Sequence, residues 1–257
     1  MAKSASRREQ LQAQRLAAAK KERQQRIVIA VVGVVVLALI IAVAVWGVNQ
    51  ARQPAQGGGE VPEIALADSS GLAVNLTPPA SGAKTLDIYS DYQCPSCRTF
   101  DLTLHSVLDE AVASDQIDVR VHLRSFLDTN LLNDSSRQAS IAATCAAMNG
   151  TQTFWDFHNE IFTNQPAVEG DGYEESVLRE TIPAEVGMTG DTLTTFQSCY
   201  DNAETGAFVD GMEDAAARTE YNSTPVYLVD GVQVNADIWD AKTSSPDASA
   251  MRELLGL

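Results

Sequence analysis

Two of the four cysteines are spaced for chemistry, in Cys94-Pro95-Ser96-Cys97. They fall where a β-rich run, TLDIYS (85–90), gives way to a stretch of helical period reaching about Ala113. Pro95 suits a first helical turn, where its missing N–H needs no partner. Cys94 then lies at a helix N-terminus, whose unpaired amides and macrodipole favour an anion. A thiolate is such an anion, so the Cys94 thiol is expected to ionise below its ordinary range. Cys97 follows one turn on, near enough to close a disulfide. One nucleophilic thiol and one resolving thiol are the minimum equipment for thiol–disulfide exchange. Zinc would need further ligands in suitable geometry. Cys145 and Cys199 are isolated, and His105, His122 and His158 show no ligand spacing, so no metal is expected. A purely structural 94–97 bridge would close too small a ring to stabilise much.

The surrounding elements follow from hydrophobic period. Leu104, Val107, Leu108 and Ala111 recur at helical spacing after the motif. IDVRVHLRSF (117–126) alternates Ile117, Val119, Val121 and Leu123, as a strand does. From Ser135 to Tyr221 the period is helical. Ser135–Asn149 is Ala-rich, and Phe154, Phe157, Ile161 and Phe162 form an apolar stripe flanked by Trp155, read as a helix core face. Tyr173–Ile182 reads as a shorter helix ended by Pro183. A long helix is expected from Leu193 to about Arg218, weakened at Gly206 and Gly211, either of which could break it. PVYLV (225–229), Asp230-Gly231 and VQVNADI then read as a β-hairpin. A final helix carries Met251, Leu254 and Leu255. The order is β-α-β, a helical block, then β-β-α.

The 257-residue chain carries a net charge of −16, unevenly spread. Residues 1–26 hold eight Lys/Arg against two Glu, a net of +6, which leaves −22 on the rest. So acidic a body repels phosphates and excludes nucleic acid as the expected partner. Residues 27–48 are 22 consecutive uncharged residues. As a helix they span about 33 Å, enough for a hydrocarbon core of roughly 30 Å. Trp46 lies near one end, and the basic arm precedes the run. The expectation is a single-pass membrane anchor with a cytoplasmic N-terminus and an extracytoplasmic body. A cleaved signal peptide is the alternative, since Ala42-Val43-Ala44 has a cleavage-like form. Residues 49–60, with Gly57-Gly58-Gly59, read as a flexible linker, and the globular domain as residues 61–257.

DYQCPSC (91–97) and STPVYLVDG (223–231) resemble the two signature segments of the DsbA-like thiol oxidoreductases of the thioredoxin superfamily. Phe154-Trp155-Asp156-Phe157-His158 resembles a helix common in that family. The resemblance covers residues 61–257. It implies an α/β thioredoxin fold with a helical insertion at about 130–218, preceded here by the transmembrane helix. It implies Cys94 as the attacking cysteine and Cys97 as the resolving one. It makes Pro225 the proline after a cis peptide bond, with the Thr224 backbone set beside the disulfide for pairing with substrate. Cys145 and Cys199, on two helices of the insertion, correspond to a second disulfide found in several actinobacterial relatives; two free buried thiols are the alternative. Two departures stand out. Strongly oxidising members often carry His where Ser96 stands, which brings no positive charge. Relatives also often hold a buried carboxylate on the strand before the motif. Ile88 occupies that slot here, with Asp87 and Asp91 the nearest carboxylates and Asp87 expected to be solvated or structural.

The resemblance implies a membrane-tethered thiol–disulfide oxidoreductase that introduces disulfides into reduced or unfolded exported proteins. The disulfide itself is the redox group, so no separate cofactor is expected. The implied partner is a membrane quinone-linked reoxidase, DsbB-like or vitamin-K-epoxide-reductase-like. Two alternatives remain at this point. One is an exported reductase or isomerase on the same scaffold. The other is a non-catalytic envelope holdase or scaffold.

Overall fold

The computed structural model describes residues 60–68, 71–77, 82–114 and 116–257. The basic arm, the apolar run 27–48 and the linker up to residue 59 lie outside them. Among the described residues no helix is long and apolar enough to cross a membrane.

Six strands form one sheet in the order β1-β2-β4-β3-β5-β6. They are β1 (Ala65–Asp68), β2 (Gly71–Asn75), β3 (Lys84–Asp91), β4 (Ile117–Arg124), β5 (Val226–Val229) and β6 (Val232–Gln233). β3 and β4 are parallel and joined by helix α1 (Pro95–Ala113); the other neighbours are antiparallel. Alternation along the central strands separates two faces. Leu86 lies opposite Val119 and Ile88 opposite Val121, and these share one core with Leu104, Val107, Leu108 and Ala111 of α1. The other face is buried but polar. There Asp87 lies opposite Arg120 and Tyr89 opposite His122, with the Tyr89 and His122 rings stacked at 4.2 Å.

Between β4 and β5 runs the helical insertion: α2 (Leu127–Leu131), α3 (Ser135–Ala147), α4 (Thr151–Thr163), a π segment (Val177–Thr181) continuing into α5 (Ile182–Glu185), α6 (Gly190–Asp201) and α7 (Gly206–Ala216). A two-stranded sheet, β7 (Trp239–Asp240) and β8 (Ser245–Pro246), precedes the last helix, α8 (Ala248–Leu255). The fold is thus thioredoxin-like α/β with a helical insertion.

Three expectations need correction. Pro183 does not end its helix. The backbone widens instead, with the Ile182 N–H donating to the Val177 carbonyl, and the Arg179 carbonyl that Pro183 cannot serve accepts from Gln197 Nε2 at 3.3 Å. Tyr173 lies ahead of this helix rather than in it. The helix expected over 193–218 is two helices, divided just before Gly206, one of the two positions where the sequence allows a break. The chain breaks at 202–205, where Ala203 takes φ 48° and the buried Thr205 hydroxyl meets that of Thr144 at 2.7 Å. Gly211 sits inside α7, where a Cβ would lie 2.8 Å from Leu72 Cδ1 and the Leu72 side chain would have to shift. The hairpin turns at Asp230-Gly231, both at positive φ as such turns require, but β6 lasts only two residues.

Candidate active site

Cys94 is the N-cap of α1 and Pro95 its first residue. The Cys97 N–H donates to Cys94 Sγ at 3.4 Å, and the Cys94 thiol lies 3.6 Å from the Thr224 carbonyl, to which it donates. Both cysteines are free thiols. Cys94 retains 8% of its surface, whereas Cys97 retains 1%, with Pro95 and Ser96 exposed above them. Only one sulfur is therefore within reach of another protein. The Cys97 thiol beside it, then Thr224 and the amides of Cys97 and Ser96, hold Cys94 down to about 6 against the opposing effect of burial. Burial first, and then Cys94, push Cys97 well above the ordinary thiol value. At neutral pH the pair accordingly holds a thiolate on the reachable sulfur and a proton on the hidden one.

The segment facing the pair is reached through a cis Thr224–Pro225 bond. The Thr224 hydroxyl is buried with no partner of its own, and it favours the thiolate on either sulfur. Upstream, Arg124 donates from Nη1 to the Tyr221 carbonyl at 2.9 Å and forks onto Glu213 of α7 through Nε and Nη2. This charge-assisted fork ties the end of β4 to the approach of the loop.

Beneath the motif lies a polar floor. Gln165 donates to the Tyr92 and Cys94 carbonyls at 2.8 and 3.1 Å, and the Tyr173 hydroxyl donates to Tyr92 O at 2.7 Å. Gln93 bonds Asp128, Asn133 and Ser136. Asp91, at the end of β3, accepts from Ser136 Oγ and from the Gln93 and Leu127 amides. Burial above all lifts its carboxyl to about 7. Asp87 is structural rather than solvated. It meets His122 Nε2 at 2.9 Å on the sheet face opposite the α1 core.

Sequence reasoning did not find Gln165, Tyr173, or the buried chain Tyr92–His158–Asp101. In that chain the Tyr92 hydroxyl lies 2.8 Å from His158 Nδ1, and His158 Nε2 lies 3.2 Å from Asp101. A usable signal existed for one of them: His158 falls four residues after Phe154 and four before Phe162, on the apolar stripe. Gln165 and Tyr173 carried none, since their partners are backbone carbonyls distant in sequence. Cys145 of α3 and Cys199 of α6 stand apart from this site, joined in a buried disulfide with Cα atoms 5.8 Å apart. Among the described residues no group of three or more His, Cys, Asp or Glu side chains is arranged to hold a metal ion.

A Cys-x-x-Cys pair opening a helix that follows a central strand, with a cis-proline segment against it, defines a thioredoxin-fold protein. The chain belongs to the thioredoxin family: the family model described as Thioredoxin matches residues 80–245. It is similar to Disulfide bond formation protein D of Bacillus subtilis (strain 168), 26% identical over 153 residues. That alignment covers 59% of this chain and 66% of the relative, just under two thirds. Among solved structures, MdbA, a thiol-disulfide oxidoreductase from Actinomyces oris, superposes with a TM-score of 0.63 at 19% identity, covering 78% of this chain and 92% of that one. Oxidized DsbA of Mycobacterium tuberculosis superposes at 0.53 and 21% identity, covering 76% and 93%. The fold is the DsbA-like variant of the thioredoxin architecture.

Proposed function

We propose that this protein is a membrane-tethered, extracytoplasmic thiol–disulfide oxidoreductase that introduces disulfides into reduced exported proteins. One observation carries the chemistry: a reachable Cys94 thiol held near 6 beside a buried Cys97 thiol held well above its ordinary value. In the oxidised enzyme a substrate thiolate attacks Cys94 Sγ. The Cys94–Cys97 bond breaks, Cys97 leaves and takes up a proton, and a mixed disulfide forms. The substrate's second thiolate then attacks its own sulfur in that bond and releases Cys94 as a thiolate. The substrate loses two electrons and the Cys94–Cys97 pair gains them. A stabilised leaving thiolate on Cys94 favours both the release and the reduced enzyme. A membrane quinone-linked reoxidase would accept the two electrons. The tether is supported by the 22 uncharged residues 27–48 behind a basic arm, and the oxidising direction by the name of the Bacillus subtilis relative.

A second reading, reductase or isomerase, is favoured by Ser96. It is exposed and uncharged, and Cys94 is held near 6 rather than lower. Equilibrating the full-length protein with glutathione, and following the 94–97 peptide by mass, separates the two. A reduction potential at or above about −180 mV supports the disulfide donor, and one near about −270 mV supports the reductase.

A further inference from the structure

We propose that Asn235 is a positioning residue for the Cys94 thiol: its side-chain amide holds the Pro225–Tyr227 backbone so that the Thr224 carbonyl faces Cys94. This rests on the reading of Cys94 as the attacking thiol. β5 and β6 pair through Leu228 with Gln233 and Val229 with Val232, so the next pair would be Tyr227 with Val234. Half of it forms, with the Val234 N–H donating to the Tyr227 carbonyl at 2.9 Å. The chain then turns away, as the Asp237 and Ile238 amides bond back to the Val234 carbonyl. The ladder therefore stops short of the segment that faces the active site. Two groups there still need partners, the Tyr227 N–H and the Pro225 carbonyl.

Asn235 supplies both. Its Oδ1 accepts from the Tyr227 N–H at 2.9 Å and its Nδ2 donates to the Pro225 carbonyl at 3.0 Å. A side-chain amide offers the same donor and acceptor as a peptide, so Asn235 extends the ladder by one step without a strand. Peptide planarity ties the Thr224 carbonyl to the Pro225 ring. Fixing Pro225 O and Tyr227 N thus fixes the direction of the carbonyl that lies 3.6 Å from Cys94 Sγ. Arg124 holds the upstream end through Tyr221. On the downstream side β3 holds one edge of β5, where Val226 pairs with Tyr89, and Asn235 holds the other. Cys97 is the titratable neighbour that acts most strongly on Cys94, and it lies on α1, away from the hairpin that carries Asn235.

The test is the ultraviolet thiolate titration of the reduced, full-length Asn235→Ala protein, with its alkylation rate at pH 6. The Thr224 carbonyl accepts from the protonated thiol and so favours it; with that contact loosened the midpoint is expected to fall by about one unit, which raises the alkylation rate at pH 6 about twofold. Gly231→Ala is the control. It strains the turn, where φ is 78°, without touching either Asn235 bond. It should lower the denaturation midpoint and leave the titration in place. An Asn235→Ala titration matching the wild type overturns the inference, as does a Gly231→Ala shift of equal size. Should Asn235→Ala not fold, Asn235→Ser, keeping one hydroxyl near Pro225 O, is expected to give a smaller shift of the same sign, and no shift overturns the inference. A wild type that does not titrate near pH 6 defeats the reading of Cys94 instead.

Discussion

Cys94 and Cys97 lie three residues apart, as free thiols, where a helix begins. Cys145 and Cys199 lie 54 residues apart and are bonded between two helices of the insertion. Backbone position separates their chemistry. Cys94 presents its sulfur to the Cys97 thiol, to the Thr224 hydroxyl and to amides at a helix N-terminus, which in that order hold the thiol near 6. Cys145 sits in the last turn of α3 near Ala142 and Ala146, both fully buried, with one hydroxyl, that of Thr205, 3.6 Å from its sulfur. Full burial there keeps out a second thiol. Loop length separates their energetics: closing 54 residues constrains the unfolded chain by up to about 4 kcal/mol, whereas a four-residue ring constrains little. On the proposed function one pair breaks and re-forms, while the other persists.

The contrast is broken most completely at Cys94. Cys94→Ser is expected to bring disulfide transfer down to the uncatalysed rate, whereas Cys97→Ala should leave a reactive Cys94 and accumulate mixed disulfides that mass spectrometry detects. In the reduced native protein, alkylation of Cys94 should be half-maximal near pH 6 and fall about tenfold per unit below it. Cys145 and Cys199 should stay unlabelled until the protein is denatured and reduced. Labelling of Cys145 under native reducing conditions would sink the assignment of the second pair as structural.

Next in size is the staple. Cys145→Ala with Cys199→Ala is expected to cost about 2–4 kcal/mol in denaturant unfolding while leaving the Cys94 titration in place. A shift in that titration would mean that the insertion sets the reactivity of the thiol, and the two regions would no longer be separable.

The reactive pair was legible in the sequence because its chemistry is local. A proline at the first helical turn and a cysteine at each end of that turn need only a strand before them and a helix after. The fold order was legible for the same reason, through period. The rest was not, because its partners are brought together by tertiary structure. Tyr173 serves Tyr92 O from 81 residues away, and Asn235 serves Pro225 by standing in for a strand that stops. Gly206 marked the helix break to within a residue, but what holds the chain at 202–205 did not show, because it is a buried hydroxyl pair, Thr144 with Thr205, 61 residues apart. Pro183 misled because the carbonyl it leaves unserved is taken up by Gln197 from another helix.

A smaller effect lies in pH dependence, where the two carboxyl- and thiol-bearing positions flanking the motif act in opposite senses. Cys94 is held near 6 against an ordinary 9.0. Its contribution to the stability of the reduced form is present above about pH 9 and is lost as pH falls through about 6. Asp91 is lifted from 3.8 to about 7. Its contribution is present below about pH 4 and is lost as pH rises through about 7. Asp91→Asn cannot ionise. Denaturant unfolding of the oxidised protein, in which Cys94 does not titrate, should then show the wild type losing stability relative to the variant between pH 4 and 7, by on the order of 1–3 kcal/mol. Parallel pH profiles for the two proteins would mean that Asp91 titrates in the folded state as it does in the unfolded one.

The smallest expected effect tests whether the two regions are coupled at all. Gln165 follows α4 of the insertion, and its amide donates to the Tyr92 and Cys94 carbonyls. It is a direct bridge from the helical block to the loop that carries the reactive thiol. Gln165→Ala leaves the Cys94 carbonyl without this donor, while Tyr92 O keeps the Tyr173 hydroxyl. The expected cost is about 1 kcal/mol. Combining it with the double alanine at Cys145 and Cys199 closes a mutant cycle. A disulfide that acts by constraining the unfolded chain does not know whether Gln165 is present, so the effects should add to within about 0.5 kcal/mol. A larger coupling would mean that the staple acts on the folded state, by holding α4 and its following loop where Gln165 can reach the motif. The persistent pair would then be part of what keeps the reactive one in place.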